Sequence, residues 1–578
     1  MIRTKIIWTL IAVVAIGGLL SLPRVTALTN HWSSDESTWL LRSHGFAAAL
    51  QRHDFTNTLQ SYHPGVTTMW LGGAVLWHDY GSGLYAAPFV TNRKLLSPEQ
   101  LARARLPIAL TISLTILLAG LLLRRLLGNT MAFVGTLFLA IDPFFLAESR
   151  RLHTDALATG FLMLTLLCWL CYLEGKRPCR RDLILSGISF GLACLSKSLV
   201  GGFLLFLPLL LTWYGKQRNL SALRLLWGTF LWGAIVMLTI LILWPYMWTW
   251  QLGQVPMFPP LVAGAITIAI VAARQHERES TITWSRRTLG GVILASLGLV
   301  VIVAFSLDAA RQVLERIYWA LTTPHEEPQL FLKQISHAQG VLYYPVYWFV
   351  WSAPLTAPLI AFACWQLWRQ RHVQPRAFRV GVVLILLGVF YLWGLTLVAK
   401  KIARYLVISF PVWDVLAAIG VVLLVHFLRT YITKPSVVYA ALVGVLLVQV
   451  VPVLKLHPNY RAYHHPLLSG DWIAKNTSLG GGTGLDLAAA YLNEKPDAER
   501  MTVRVTRLGE FLKYYFVGQM YSTDNVSTHW WPDYDVVYIR DKQVYRLPED
   551  LPRRLEHVVR LNGIDYVWIY RVLQPAQL

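Results

Sequence analysis

Long apolar runs separated by short, mostly basic connections dominate the chain. A helix crosses the hydrocarbon core of a bilayer with about 20 apolar residues, and roughly 17 suffice. On that measure, spans are expected near 6–22, 106–123, 131–147, 156–173, 183–196, 199–214, 222–245, 258–273, 289–307, 345–368, 379–398, 405–427 and 436–454. These make about thirteen transmembrane helices. The runs 183–196 and 199–214 are short and separated only by Ser196, Lys197 and Ser198. As one helix they would reverse the sidedness of everything downstream.

The charges argue for two. With thirteen spans and a cytoplasmic N-terminus, the inner connections hold Arg124 and Arg125, the Lys176–Arg181 cluster, Lys216 and Arg218, the Arg274–Arg287 group, the Arg369–Arg379 group, and Arg429 with Lys434. Every inner connection is then basic, as orientation by Lys and Arg requires. The first span carries its own ambiguity. Arg3 and Lys5 precede it, and Val25-Thr26-Ala27 has the small-residue pattern of a signal-peptidase site. Its length favours a retained helix.

Three segments between or after the spans are large and expected outside: 23–105, 308–344 and 455–578. An amphipathic helix is expected at 308–321, with Ala309, Val313, Ile317 and Ala320 on one stripe. In the last segment, 486–493 reads as a helix ended by Asn493-Glu494-Lys495-Pro496. Residues 501–505, 536–539 and 566–570 alternate or cluster as strands. The expected architecture is an α-helical polytopic membrane protein. Its transmembrane domain spans 1–454, and a small extracytoplasmic α/β domain spans 455–578.

Composition agrees. Of 578 residues, 55% are hydrophobic and 14% charged, against about 25% charged in soluble domains. That excludes a disordered chain. The net charge of +21 does not imply nucleic acid, because 455–578 holds 15 Lys/Arg against 14 Asp/Glu. The excess lies between the spans, where it sets orientation. The five cysteines all lie at or before residue 364, in or beside apolar runs, so neither a disulfide framework nor a cysteine zinc site is expected.

Four polar groups sit where a membrane bundle makes them costly. Asp35 and Glu36 follow the first span; elsewhere such a pair is an ordinary solvated turn. Glu148, Arg150, Arg151, His153 and Asp155 precede the span at 156 and read either as a capped helix start or as an anion site beside a carboxylate. Lys197 sits in the tight turn between two short helices, positioned to snorkel or to hold a phosphate. Lys400, Lys401, Arg404 and Tyr405 put three cations in five residues on the expected outer side. Bulk acidic lipid would suit them, and so would one bound phosphate. Cations that hold a lipid phosphate also stabilise it as a leaving group. A carboxylate takes the proton of an acceptor hydroxyl or amine.

These motifs resemble, in order, the GT-C membrane glycosyltransferases of the protein O-mannosyltransferase and aminoarabinose transferase group (glycosyltransferase family 39 and relatives). They are Asp35-Glu36 after an apolar helix, Arg151-Leu152-His153-Thr154-Asp155 opening another, Gly191–Lys197 before an apolar run, and Lys401-Ile402-Ala403-Arg404-Tyr405-Leu406 leading to Pro411. The resemblance covers about 1–454 well and the last segment loosely. It implies inverting transfer of a sugar from a polyprenyl- or dolichyl-phosphate donor to a lipid, glycan or protein acceptor. Asp35 would be the general base and Glu36 its neighbour in the site. Arg151, Lys197, Lys400, Lys401 and Arg404 would bind the donor phosphate, with His153 and Asp155 as a second acidic site. A multi-pass protein of the plasma membrane, active on its outer side, is expected.

His63-Pro64-Gly65 reads as a turn or as an acceptor-side segment. A divalent metal stays open: His31, His44, His53, His63, His153 and Asp155 are all expected outside, without tight ligand spacing. The competing classes are a transporter or lipid flippase, which commonly carries repeat symmetry not seen here, and a non-catalytic assembly protein.

Overall fold

The computed structural model describes residues 18, 21–61, 64–79, 97–175, 179–249, 251–252, 255–256, 258–277, 315, 318–522, 531–545 and 551–573. Seven helices in it are long and apolar enough to cross a membrane, or up to nine if each of two bent pairs is one span. Two further expected spans correspond to the helices Arg180–Ser196 and Phe258–Glu277. The expected spans 6–22 and 289–307, and most of the amphipathic helix at 308–321, lie outside the described residues. The protein is a helical membrane protein with a small C-terminal sheet.

Seven helices position the charged groups of the protein: α1 (Ser34–Gln51), α2 (Pro98–Leu127), α3 (Asp155–Glu174), α4 (Arg180–Ser196), α5 (Gly202–Arg218), α6 (Pro375–Leu397) and α7 (Phe410–Tyr431). Their ends have local causes. α2 begins at a reciprocal cap, in which Ser97 Oγ accepts from the Gln100 amide and the Gln100 side chain accepts from the Ser97 amide, both at 3.2 Å. Pro98 occupies the first helical position, where its missing N–H costs nothing.

The run at 131–147 bends by 64° between Asn129–Ile141 and Pro143–Ser149. Pro143 cannot continue the hydrogen-bond ladder, and Asp142 starts the next helix by accepting the Phe145 amide at 2.6 Å. Between α4 and the turn that leads into α5, Lys197 is extended, with φ −157°. The chain therefore makes two helices there rather than one.

The most buried helix is α3. Its apolar window is wholly enclosed by other helices, and its two ends are the buried acids Asp155 and Glu174. At 1.5 Å per residue its 20 residues span about 28 Å, close to the roughly 30 Å of hydrocarbon.

The C-terminal sheet has five strands: β1 (Thr502–Val505), β2 (Gln519–Ser522), β3 (Tyr534–Tyr538), β4 (Arg553–Leu561) and β5 (Ile564–Val572). Their order is β2-β1-β3-β5-β4. β1 runs parallel to β2 and β3, and β5 runs antiparallel to β3 and β4. Val503, Val505 and Val536 are fully buried in its centre, as expected of parallel strands covered on both faces.

The sheet region is fastened to the chain just before α1. Trp32 stacks on Tyr514 with ring centroids 3.8 Å apart, and Tyr515 donates to the Thr29 carbonyl at 2.9 Å. Gly482, with φ +91°, presses on Trp32 so closely that a Cβ would stand 1.9 Å from the Trp32 carbonyl oxygen. Only glycine fits there.

The sidedness expected from the basic connections has a direct check. Cys179 is exposed, and so is Glu499 in the C-terminal region. In intact cells a membrane-impermeant thiol reagent should leave Cys179 unmodified and label a Glu499→Cys variant. The reverse pattern would invert the orientation.

Candidate active site

α1 delivers two adjacent carboxylates to different surroundings. Glu36 is completely buried. Its carboxylate accepts from Arg105 on α2 through Nε at 2.7 Å and Nη2 at 2.6 Å. It also accepts from the Leu152 amide at 2.9 Å, and from the Ser33 hydroxyl at 2.9 Å and amide at 3.2 Å. Burial raises its pKa, but Arg105 and Arg151 outweigh that and hold it at about 2. With five donors on two oxygens, it ties the start of α1 to α2 and to the turn before α3.

Asp35 points the other way and keeps about a third of its side chain exposed, at 32%. Arg404 Nη1 donates to its Oδ2 at 2.6 Å. Arg151 Nη2 is 3.8 Å and His153 Nε2 4.0 Å from the same oxygen. Burial opposes ionisation here too, yet Arg404, His153 and Arg151 together hold the pKa well below the usual carboxylate range. His153 is held below the usual imidazole range, chiefly by burial.

Asp155 joins this group from the first residue of α3. It pairs with Lys197, while His153 Nδ1 lies 3.1 Å and Arg404 Nε 3.3 Å from its Oδ2. The Lys197 ammonium also sits 3.9 Å from the centre of the Tyr405 ring, a cation–π contact. Arg404 thus bridges Asp35 and Asp155. Asp35, Arg151, His153, Asp155, Lys197 and Arg404, which are distant in the chain, form one charged cluster.

Lys400 and Lys401, the other two cations of the expected phosphate set, have partners of their own. Lys401 donates to the Val398 carbonyl at 2.8 Å. Lys400 lies over the Trp319 ring at 4.5 Å and 3.9 Å from Glu326. Both precede the 3-10 turn Ala403–Ser409 that carries Arg404 inward. His63 lies outside the described residues. Gly65 has φ +56° and packs on Trp39, as a tight turn requires. Among the described residues, no three of His, Cys, Asp and Glu gather as a metal ion would need.

Beside Asp35 opens a cavity of about 400 Å³, roofed by the C-terminal region through the Gly480–Thr483 loop. Four arginines line it: Arg151, Arg404, Arg461 and Arg540. Each holds one buried guanidinium nitrogen without a hydrogen-bond partner among the described residues: Arg151 Nε, Arg404 Nε, Arg461 Nη1 and Arg540 Nη1. Two of these nitrogens still have an acid close by, Arg404 Nε at 3.3 Å from Asp155 and Arg461 Nη1 at 3.8 Å from Glu148. Four guanidinium groups around one cavity suit an oxyanion. Arg461 and Arg540 were not identifiable from sequence. They lie in a region of balanced charge, and no local pattern separates them from surface arginines. Arg105 was missed for a different reason: it reads as a flanking charge of the span at 106–123.

A model of the dolichyl-phosphate-mannose-protein mannosyltransferase family matches residues 94–244. The chain resembles the GT-C membrane glycosyltransferases. The match includes Arg105, Arg151, His153, Asp155 and Lys197, and it excludes Asp35 and Arg404. No curated protein matches the chain. Among solved structures, the apo oligosaccharyltransferase of Archaeoglobus fulgidus is 15% identical at a TM-score of 0.47, over 90% of this chain and 65% of that one. The chain thus spans slightly less than two thirds of that protein's length. ArnT from Cupriavidus metallidurans bound to undecaprenyl phosphate is 13% identical at a TM-score of 0.45, over 97% of both chains.

Glu36 should behave as a fastening. Glu36→Ala leaves Arg105 buried without its partner and should destabilise the fold by about 3–5 kcal/mol, read by thermal unfolding in detergent. Because its folded pKa is depressed, its contribution is complete above the usual carboxylate range. It is lost as pH falls towards about 2.

Proposed function

We propose that the protein is an inverting glycosyltransferase that moves a sugar from a polyprenyl-phosphate donor to a lipid, glycan or protein acceptor at the outer face of the cell membrane. The observation that carries this reading is the cavity that four arginines, Arg151, Arg404, Arg461 and Arg540, line together with the part-exposed carboxylate of Asp35. The mannosyltransferase family match over 94–244 supports it.

Asp35 takes the proton of the acceptor hydroxyl or amine, whose lone pair attacks the anomeric carbon. The bond from that carbon to the donor phosphate oxygen breaks on the opposite face, and the phosphate leaves with the electron pair. Attack opposite to departure inverts the anomeric centre. Arg151, Arg404 and Lys197 neutralise the departing charge. Asp155 orients Lys197 and Arg404, and His153 lies between Asp155 and Asp35.

The resting cluster adds a constraint. A carboxylate gripped by Arg404 is a weak base, because its pKa is held down. A donor phosphate competes for Arg404. As that arginine turns to the phosphate, Asp35 loses its nearest cation and its basicity rises. Base strength is then coupled to donor occupancy.

Two sets of variants test this. Asp35→Asn keeps the shape and removes the base, and should cut transfer by about 10²–10⁴ while the protein still folds. The assay is transfer from a radiolabelled polyprenyl-phosphate sugar in purified membranes, with the product anomer read by NMR. Near wild-type activity would remove Asp35 from the chemistry, and retained configuration would rule out a single displacement.

Arg151→Ala, Lys197→Ala and Arg404→Ala should each weaken donor use about ten- to hundred-fold, the worth of one charge-assisted contact of roughly 1.5–3 kcal/mol. Unchanged donor kinetics in all three folded variants would leave the cluster a structural one.

A further inference from the structure

At the opposite end of α3, Glu174 is as buried as Asp155 and is surrounded by three arginines. Arg379 on α6 grips it with Nε at 2.6 Å from Oε1 and Nη2 at 2.8 Å from Oε2. That planar fork already satisfies both carboxylate oxygens. Two further guanidinium groups nevertheless converge on Oε2: Arg218 at the end of α5 through Nη1, and Arg376 at the start of α6 through Nε, each at 3.6 Å. Three positive charges face one negative charge, a surplus of two. Arg218 Nε is buried without a hydrogen-bond partner among the described residues. The Arg218 and Arg376 side chains are 28% and 45% exposed, so they present this surplus outward.

We propose that Arg218 and Arg376 form a binding site for the phosphate of an anionic phospholipid headgroup, with Arg379 and Glu174 as its fixed floor. The height is right. Glu174 lies about 28 Å along α3 from Asp155, one hydrocarbon thickness away. The site therefore falls at the level of the other leaflet's headgroups. Basic recesses between membrane helices at that level suit anionic headgroups.

Orientation alone does not explain the arrangement. The positive-inside bias depends on how many Lys and Arg a connection carries. It does not require guanidinium groups from two separate helices to meet over one buried acid. A phosphodiester between Arg218 and Arg376 would neutralise half the surplus. The site stands apart from the Asp35 cluster and does not depend on the function proposed for it.

The test uses the full chain in lipid nanodiscs. Discs of phosphatidylcholine and discs containing phosphatidylglycerol are compared by thermal unfolding, and lipid retained by the protein is measured by native mass spectrometry. Phosphatidylglycerol should raise Tm. The double variant Arg218→Gln/Arg376→Gln should lose most of that rise and retain at least about tenfold less phosphatidylglycerol. Its Tm in phosphatidylcholine should stay close to wild type, because Arg379 still pairs with Glu174. If the double variant does not fold, Arg376→Gln alone, at the more exposed of the two positions, is read by the same mass spectrometry. An undiminished phosphatidylglycerol effect in the folded variant would overturn the site. Inorganic phosphate in phosphatidylcholine discs separates the two sources of the same chemistry: an equal rise in Tm would make this a site for free phosphate and overturn the lipid assignment.

Discussion

The geometry of this protein hangs on Glu36. A fully buried carboxylate is tolerable only if donors surround it, and here they come from three parts of the chain: Arg105 on α2, the Leu152 amide before α3, and Ser33 at the start of α1. Any shift of α1 would leave either Glu36 or Arg105 charged and unpaired in a low-dielectric interior. That constraint fixes the next residue, Asp35, at the cavity edge. The turn that supplies the Leu152 amide also supplies Arg151 and His153, so one fastening sets the distance between the carboxylate and the groups around it.

The C-terminal region is part of the same arrangement. Tyr514 stacks on Trp32, and Gly482 presses on the Trp32 carbonyl. The chain just before α1 is thereby held from the far side. The region also contributes Arg461 and Arg540 to the cavity. A region that reads as an appendage in the sequence thus closes the site and adds two of the four arginines around it. Arg404 occupies the centre, shared between Asp35 and Asp155. Removing it from either carboxylate changes the charge balance of both.

The helix α3 gives the molecule its two polar ends. Its body is enclosed along its length, while Asp155 and Glu174 terminate it in clusters of opposite character. At one end the cations are matched by nearby acids and surround a cavity; at the other they exceed the acid they meet. The 20-residue length of the helix separates the two clusters by about 28 Å, close to one hydrocarbon thickness.

The membrane class, most of the spans and the principal charged motifs were readable along the chain. Hydrophobic runs and misplaced charges are local signals that need no knowledge of folding. Asp35, Arg151, His153, Asp155, Lys197 and Arg404 were legible because a charge at the edge of an apolar run is costly enough to need a reason. The helix at 485–493 and the strands near 503, 536 and 567 were legible from short-range alternation and turn residues. Folding separated Glu36 from its neighbour, because successive helical residues point about 100° apart and meet different partners. Folding also gave Lys400 and Lys401 partners of their own beside the turn that carries Arg404 inward, and brought Arg461 and Arg540 to the cavity. Those outcomes depend on contacts between segments hundreds of residues apart, and no local pattern in either segment encodes which atoms will meet.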